Sequence, residues 1–196
     1  GGVKLAIPQF QGNQYAVTFL PDSRTVALAG ARPNRVLLID TRDGSVQRSL
    51  EGHTEAVTGL SISADGKRLA SISDDRTARV YELPEGKPLV VQALEDVPRA
   101  LALSPDGTRL ATGGLDRQVR WWELAASDQS RLLAGGGEGK IWGVAAGAGT
   151  TSLLARDDGS LALLRGEDGS LAREVKPGGG AVTCVASSTD SPTLAV

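Results

Sequence analysis

Between Val57 and Ala93 apolar and polar side chains trade places with a period of two, in runs of six or seven residues broken by Asp, Gly, Ser and Pro. That period sends successive side chains to opposite faces of an extended strand. Val57 to Ile62 reads as a first strand with Leu60 and Ile62 on one face, and Ser63-Ala64-Asp65-Gly66 as its turn. Asp-Gly supplies the positive backbone angles that a tight hairpin demands. Arg68 to Ser73 is a second strand, followed by the turn Asp74-Asp75-Arg76. Thr77 to Leu83 is a third strand, Pro84-Glu85-Gly86-Lys87 a third turn, and Pro88 to Ala93 a short outer strand. A proline opening an edge strand costs little.

This unit is copied. Ala64 to Ser71 and Asp75 to Leu83 align without a gap on Pro105 to Thr112 and Asp116 to Leu124, at a constant offset of 41 residues. A fixed period of about 40–45 residues marks one supersecondary unit stacked on itself, and at that length the usual unit is a four-stranded propeller blade. The same order recurs upstream through Val17, Phe19, Pro21-Asp22, Val26-Ala27, Val36 to Asp40 and Asp43-Gly44-Ser45. Downstream, Ile141 to Val144 aligns with Val57 to Leu60, and Asp157 to Ser160 with Asp74 to Thr77. The expected architecture is all-β: a propeller of four-stranded antiparallel blades at about 13–50, 53–93, 97–134 and 138–176, with a partial blade formed by 3–7 and 181–196. Three arrangements fit that count. A small ring would complete its last blade from both chain ends, an excerpt of a larger ring would leave raw faces, and an assembly would draw on more than one chain; the absence of methionine points to a trimmed start or an excerpt.

The run Leu50-Glu51-Gly52-His53, then Val57, Ala64 to Lys67, Leu69-Ala70-Ser71, Asp75-Arg76-Thr77 and Tyr81-Glu82 resembles the WD-repeat family. Members carry Gly-His near the start of the unit and Trp-Asp near its end; here Trp122-Glu123 and Ile39-Asp40 hold the closing place. The resemblance is strong over 45–125 and looser elsewhere. It implies a buried polar network in each blade, approximated by His53, Ser71, Asp75 and Tyr81, and in part by Thr112, Asp116 and Trp122. His53 is the sole histidine, and Leu94 stands at its equivalent 41 residues on.

Composition adds exclusions. The 196 residues are 40% hydrophobic and 22% charged, as in ordinary globular chains, and the formal net charge of −2 gives no field drawing nucleic acid. No apolar run approaches the roughly 18 residues that span a bilayer, and no signal peptide is visible, so no membrane is expected. One cysteine, Cys184, leaves no intrachain disulfide, which fits a reducing intracellular compartment such as the cytoplasm.

Several residues invite a chemical reading and receive a structural one. His53 lacks the nucleophile and acid of a catalytic site, and the repeat accounts for it. Asp74-Asp75 and Asp157-Asp158 fall in second turns, where Asp accepts backbone hydrogen bonds, and lack the closing Glu of a calcium loop. Ala134 to Ile141 misses a phosphate-binding loop: Ala replaces the first Gly, Ile the final Ser/Thr, and a strand follows where a helix is required. Cys184 alternates with Val182 and Ala186 on an inner strand and is expected to be buried. Asp40-Thr41-Arg42 resembles the Trp-Asp-x-Arg signature by which some WD-repeat proteins dock onto a ubiquitin-ligase adaptor, but Ile39 stands where Trp belongs.

A positional set is more informative. Thr58, Arg99, Trp142 and Thr183 are equivalent residues at the start of the first strand, and Arg76 and Arg117 are equivalent in the second turn. In WD-repeat proteins these places border the partner-binding rim, and Arg and Trp are enriched at binding hot spots. The competing reading packs Trp142 between blades beside Val144 and leaves the arginines solvated. The expectation is a non-catalytic interaction scaffold, with no cofactor and no metal, that offers Arg76, Arg99, Arg117 and Trp142 to an acidic or aromatic-bearing protein or peptide partner. Two alternatives remain: a regulatory propeller within a larger multidomain protein, and an enzyme with a channel site.

Overall fold

The computed structural model describes residues 12–124, 130–135, 139–146, 152–165, 170–176, 181–182, 186–187 and 194–195. Segment 3–7, Thr183 and Cys184 lie outside the described residues. Among the described residues every regular element is a strand. The first sheet runs β1 (Gln14–Phe19), β2 (Thr25–Gly30), β3 (Val36–Asp40) and β4 (Val46–Leu50). The second runs β5 (Val57–Ile62), β6 (Arg68–Ser73), β7 (Thr77–Glu82) and β8 (Lys87–Ala93). The third runs β9 (Pro98–Leu103), β10 (Arg109–Gly114), β11 (Gln118–Glu123) and β12 (Ser130–Gly135). The fourth runs β13 (Ile141–Ala146), β14 (Ser152–Arg156), β15 (Leu161–Leu164) and β16 (Leu171–Val175). A two-stranded pair, β17 (Ala186–Ser187) with β18 (Leu194–Ala195), follows. All the ladders are antiparallel between chain neighbours, which short turns permit.

Turn chemistry is repeated with the strands. Gly66 and Gly107 take positive φ (71° and 69°), and the preceding aspartates fold each turn by accepting backbone N–H groups from Lys67 and Thr108, both at 3.0 Å. Three donors, the Ser104 hydroxyl with the N–H and hydroxyl of Thr108, hold the Asp106 carboxyl down at about 2.

The sheets pack face to face along their inner strands, with β1, β5, β9 and β13 side by side. Each seam buries apolar residues from both neighbours. Leu38 and Leu50 meet Val57, Leu69 and Tyr81; Ala70, Ile72 and Val80 meet Leu103, Leu110 and Trp122; Trp121 and Val119 meet Ile141, Val144 and Leu154. A fully buried leucine or isoleucine contributes about 1.5–3 kcal/mol, so the seams rather than the hairpins hold the array together. Gly59 is required at one of them: a Cβ there would lie 2.7 Å from Leu101 of the next sheet and 2.9 Å from Ile72.

Candidate functional site: bulge residues gathered at one end

The inner strand of each sheet carries an irregularity at its second residue. Pairing jumps from Gln14 to Ala16, from Val57 to Gly59, from Pro98 to Ala100, and from Ile141 to Gly143. The residues skipped are Tyr15, Thr58, Arg99 and Trp142. A bulge leaves one residue out of the ladder and re-aims its side chain. Three of these four line one concavity of about 390 Å³ whose wall is built from β1, β5, β9 and β13: Tyr15, Arg99 and Trp142, together with Leu60, Leu101 and Val144.

Trp142 is 37% exposed and Tyr15 51%, so both rings face the concavity, and Trp142 does not take the interblade position beside Val144. Arg99 reaches across the second seam, its Nη1 3.3 Å from Asp74 Oδ1. Its Nε and the Thr58 hydroxyl are both buried and have no hydrogen-bond partner among the described residues. The concavity therefore combines two aromatic faces and one guanidinium, while Thr58, the fourth skipped residue, does not line it. Sequence reading missed Tyr15. The first unit runs two residues longer, and aligning Asp22 on Asp65 at an offset of 43 would have placed Tyr15 on Thr58.

The second turns open at the same end. Arg76 and Arg117 are exposed, and both adopt φ of 62°, a left-handed conformation that disfavours side chains. The fourth sheet places Gly159 there with φ of 78°. Arginine in the second and third sheets thus occupies a backbone better suited to glycine.

Beneath this surface lies the polar network of the second sheet. His53 Nδ1 is 2.9 Å from Asp75 Oδ2 and Nε2 is 2.8 Å from Ser71 Oγ. Burial pushes the His53 imidazole below its ordinary value, with Asp75 acting in the opposite direction. Burial would raise Asp75, but donors from Thr77, the Thr54 N–H and His53 outweigh it and leave the carboxyl lowered. Tyr81 donates to the Glu51 carbonyl at 3.1 Å, and its hydroxyl, pushed up by burial, is also drawn down by Ser71. In the third sheet Trp122 Nε1 donates to Thr112 Oγ1 at 3.2 Å, as a Thr-Trp pair separate from Asp116. With Leu94 in the histidine place, Asp116 is taken by Arg120, which also reaches Glu95.

The remaining acids are engaged locally. Asp157 accepts the Lys140 N–H at 2.8 Å and Asp158 accepts the Ser160 N–H and hydroxyl. Among the described residues no three His, Cys, Asp or Glu side chains are grouped to hold a metal ion. Asp40 is buried and accepts from Arg24, Arg42 and Gln47, so Arg42 is tied to its own sheet.

Comparison with known proteins agrees with this architecture. The family described as WD domain, G-beta repeat matches residues 44–82 and 92–123. A WD repeat-containing protein, SL1-17, of Schistosoma mansoni is 38% identical over 80 residues, 41% of this chain and 26% of that protein. The U3 small nucleolar RNA-associated protein 15 homolog of Xenopus tropicalis is 35% identical over 78 residues, 40% of this chain and 15% of its own length. The Intraflagellar transport protein 122 homolog of Mus musculus is 37% identical over 67 residues, 34% of this chain and 6% of its own length. The matched stretch thus spans about a quarter or less of each of these relatives. Two matched repeats, the 41-residue period and four antiparallel four-stranded sheets lead to one conclusion: the chain belongs to the WD-repeat family.

Proposed function

We propose that this chain is a non-catalytic protein-interaction platform whose partner docks at the end where the inner-strand bulges and second turns gather. The observation that carries the reading is the convergence of Tyr15, Arg99 and Trp142, skipped residues of three different sheets, on one concavity. Rigid sheets hold these groups in place before binding, so little ordering entropy is lost on association. Arg76 and Arg117 extend the cationic surface, and the partner chemistry that suits the set is an acidic or aromatic-bearing peptide or domain.

The test is affinity capture from an extract of the source organism with quantitative mass spectrometry, comparing the wild-type chain with Arg99→Ala/Trp142→Ala. The double variant is expected to lose at least tenfold of a specific co-purifying protein while its melting temperature falls by no more than a few degrees. The Arg99–Asp74 pair is partly exposed and so contributes about 1 kcal/mol or less. Undiminished capture would overturn the reading, and so would a loss of capture matched by unfolding.

A further inference from the structure

Arg99 already holds a carboxylate, and holds it loosely. Among the described residues it is the one charged side chain lining the concavity between the inner strands. Its Nη1 meets Asp74 Oδ1 through a single contact of 3.3 Å. A close charge-assisted hydrogen bond measures about 2.7–2.9 Å. The two side chains are 32% and 36% exposed, so water competes for both. Arg120 shows the contrast, being 13% exposed and held by Asp116, Glu95 and Gln118. Nor does the second turn need the Asp74 carboxylate. Asp75 folds that turn by accepting the Thr77 N–H at 2.9 Å, and Asp74 enters it through its backbone N–H, donated to the Ala56 carbonyl at 3.0 Å. The equivalent residue is Leu115 in the third sheet, which has no carboxyl, and Asp157 in the fourth, which is turned onto the Lys140 N–H. Arg99 is thus the sole hydrogen-bond partner of the Asp74 carboxylate among the described residues.

We propose, on the reading that a partner docks at this end, that the concavity receives an aspartate or glutamate side chain of the partner beside an aromatic one, and that Asp74 is the internal carboxylate it displaces from Arg99. Charge fixes the choice of ligand. The lining carries one positive group and no acid, so a single carboxylate neutralises it. Tyr15 and Trp142 offer ring faces to the neighbouring aromatic. A carboxylate entering between those rings sheds water, so it interacts with the guanidinium more strongly than Asp74 does at the open seam. Asp74, once released, returns to solvent with no other side-chain bond broken. It also acts against partners that lack an acid, because they cannot offset the loss of the pair.

The experiment is an amide and indole chemical-shift titration of the full chain with N-acetyl-aspartyl-phenylalanine amide, using the isosteric asparaginyl peptide as control. Trp121 and Trp122 are buried, so the indole N–H of the exposed Trp142 reports on the site. The acidic peptide is expected to shift Tyr15, Arg99 and Trp142 and to saturate in the millimolar range, with the control several-fold weaker. Asp74→Asn removes the competitor and is expected to tighten the acidic peptide by about two- to fivefold, the range in which an exposed ion pair alters an equilibrium. Glu55→Gln removes an exposed charge next to the Ala56 carbonyl that Asp74 N–H contacts, and is expected to change binding far less. An Asp74→Asn variant no tighter than Glu55→Gln would refute the displacement while leaving the docking surface standing. A weaker one would show that Asp74 positions Arg99, and would refute it equally. Equal affinity for the two peptides would remove the carboxylate preference and the proposal with it. No shift at Trp142 with either peptide would overturn the docking surface itself and this inference together.

Discussion

Replacing His53 by leucine would impose on the second sheet the substitution that the third already carries at Leu94. The His53 side chain is fully buried, and its two ring nitrogens engage Ser71 and Asp75. A neutral hydrogen bond is worth about 1 kcal/mol and one to a charged group about 1.5–3 kcal/mol. Leucine keeps much of the volume, so His53→Leu is expected to cost about 2–3 kcal/mol, chiefly the lost polar contacts. The third sheet indicates how part of this returns. Arg79 is the counterpart of Arg120, pairs across from Ser71 as Arg120 does from Thr112, and acts electrostatically on His53. Its Nε is buried without a hydrogen-bond partner among the described residues. Once the imidazole is gone, Arg79 is free to reach Asp75 as Arg120 reaches Asp116, recovering about 1 kcal/mol. A double-mutant cycle by urea denaturation measures this. Arg79→Ala should cost about 0.5 kcal/mol in the wild type and about 1.5 kcal/mol in the His53→Leu background, the latter a further drop of about 2–4 °C in Tm per kcal/mol for a domain of this size. An equal cost in both backgrounds would refute the exchange of partners.

Two further outcomes follow from the same geometry. Because burial lowers the folded-state pKa of His53, the unfolded chain binds the proton first on acidification. The stability this contributes is present above pH 6.5 and is lost as pH falls below it, at no more than about 1.4 kcal/mol per pH unit. Urea midpoints between pH 7.5 and 5.5 should therefore decline in the wild type and stay flatter in His53→Leu; equal slopes would contradict the assignment. Arg76→Gly and Arg117→Gly relieve a left-handed backbone and should each raise stability by about 0.5–1 kcal/mol while weakening partner capture, as read by thermal melts alongside the capture assay.

How much was legible beforehand differs between the fold and the site. The strands, the Asp-Gly turns and the repeat were readable because each depends on side chains within a few residues. The alternation of Val57 to Ile62 and the Asp65-Gly66 pair specify a hairpin wherever they occur. Arg99 and Trp142 were readable as equivalents because offsets of 41 and 84 residues from Thr58 place them in register. Tyr15 was not, because the first unit is longer and alignment on local motifs left it unmatched.

Other features belong to the assembled sheets. That Trp142 faces the concavity rather than a seam depends on a bulge and on how four inner strands lie beside one another. The partner of Asp116 was set by Leu94, which left the carboxylate to Arg120. The sequence by itself determined the secondary structure, the turn positions and the stacked repeat, since these arise from short-range backbone preference and alternating burial. Only the tertiary structure decided which side chains meet, because contacts between blades join residues some 40 positions apart whose distances no local pattern encodes.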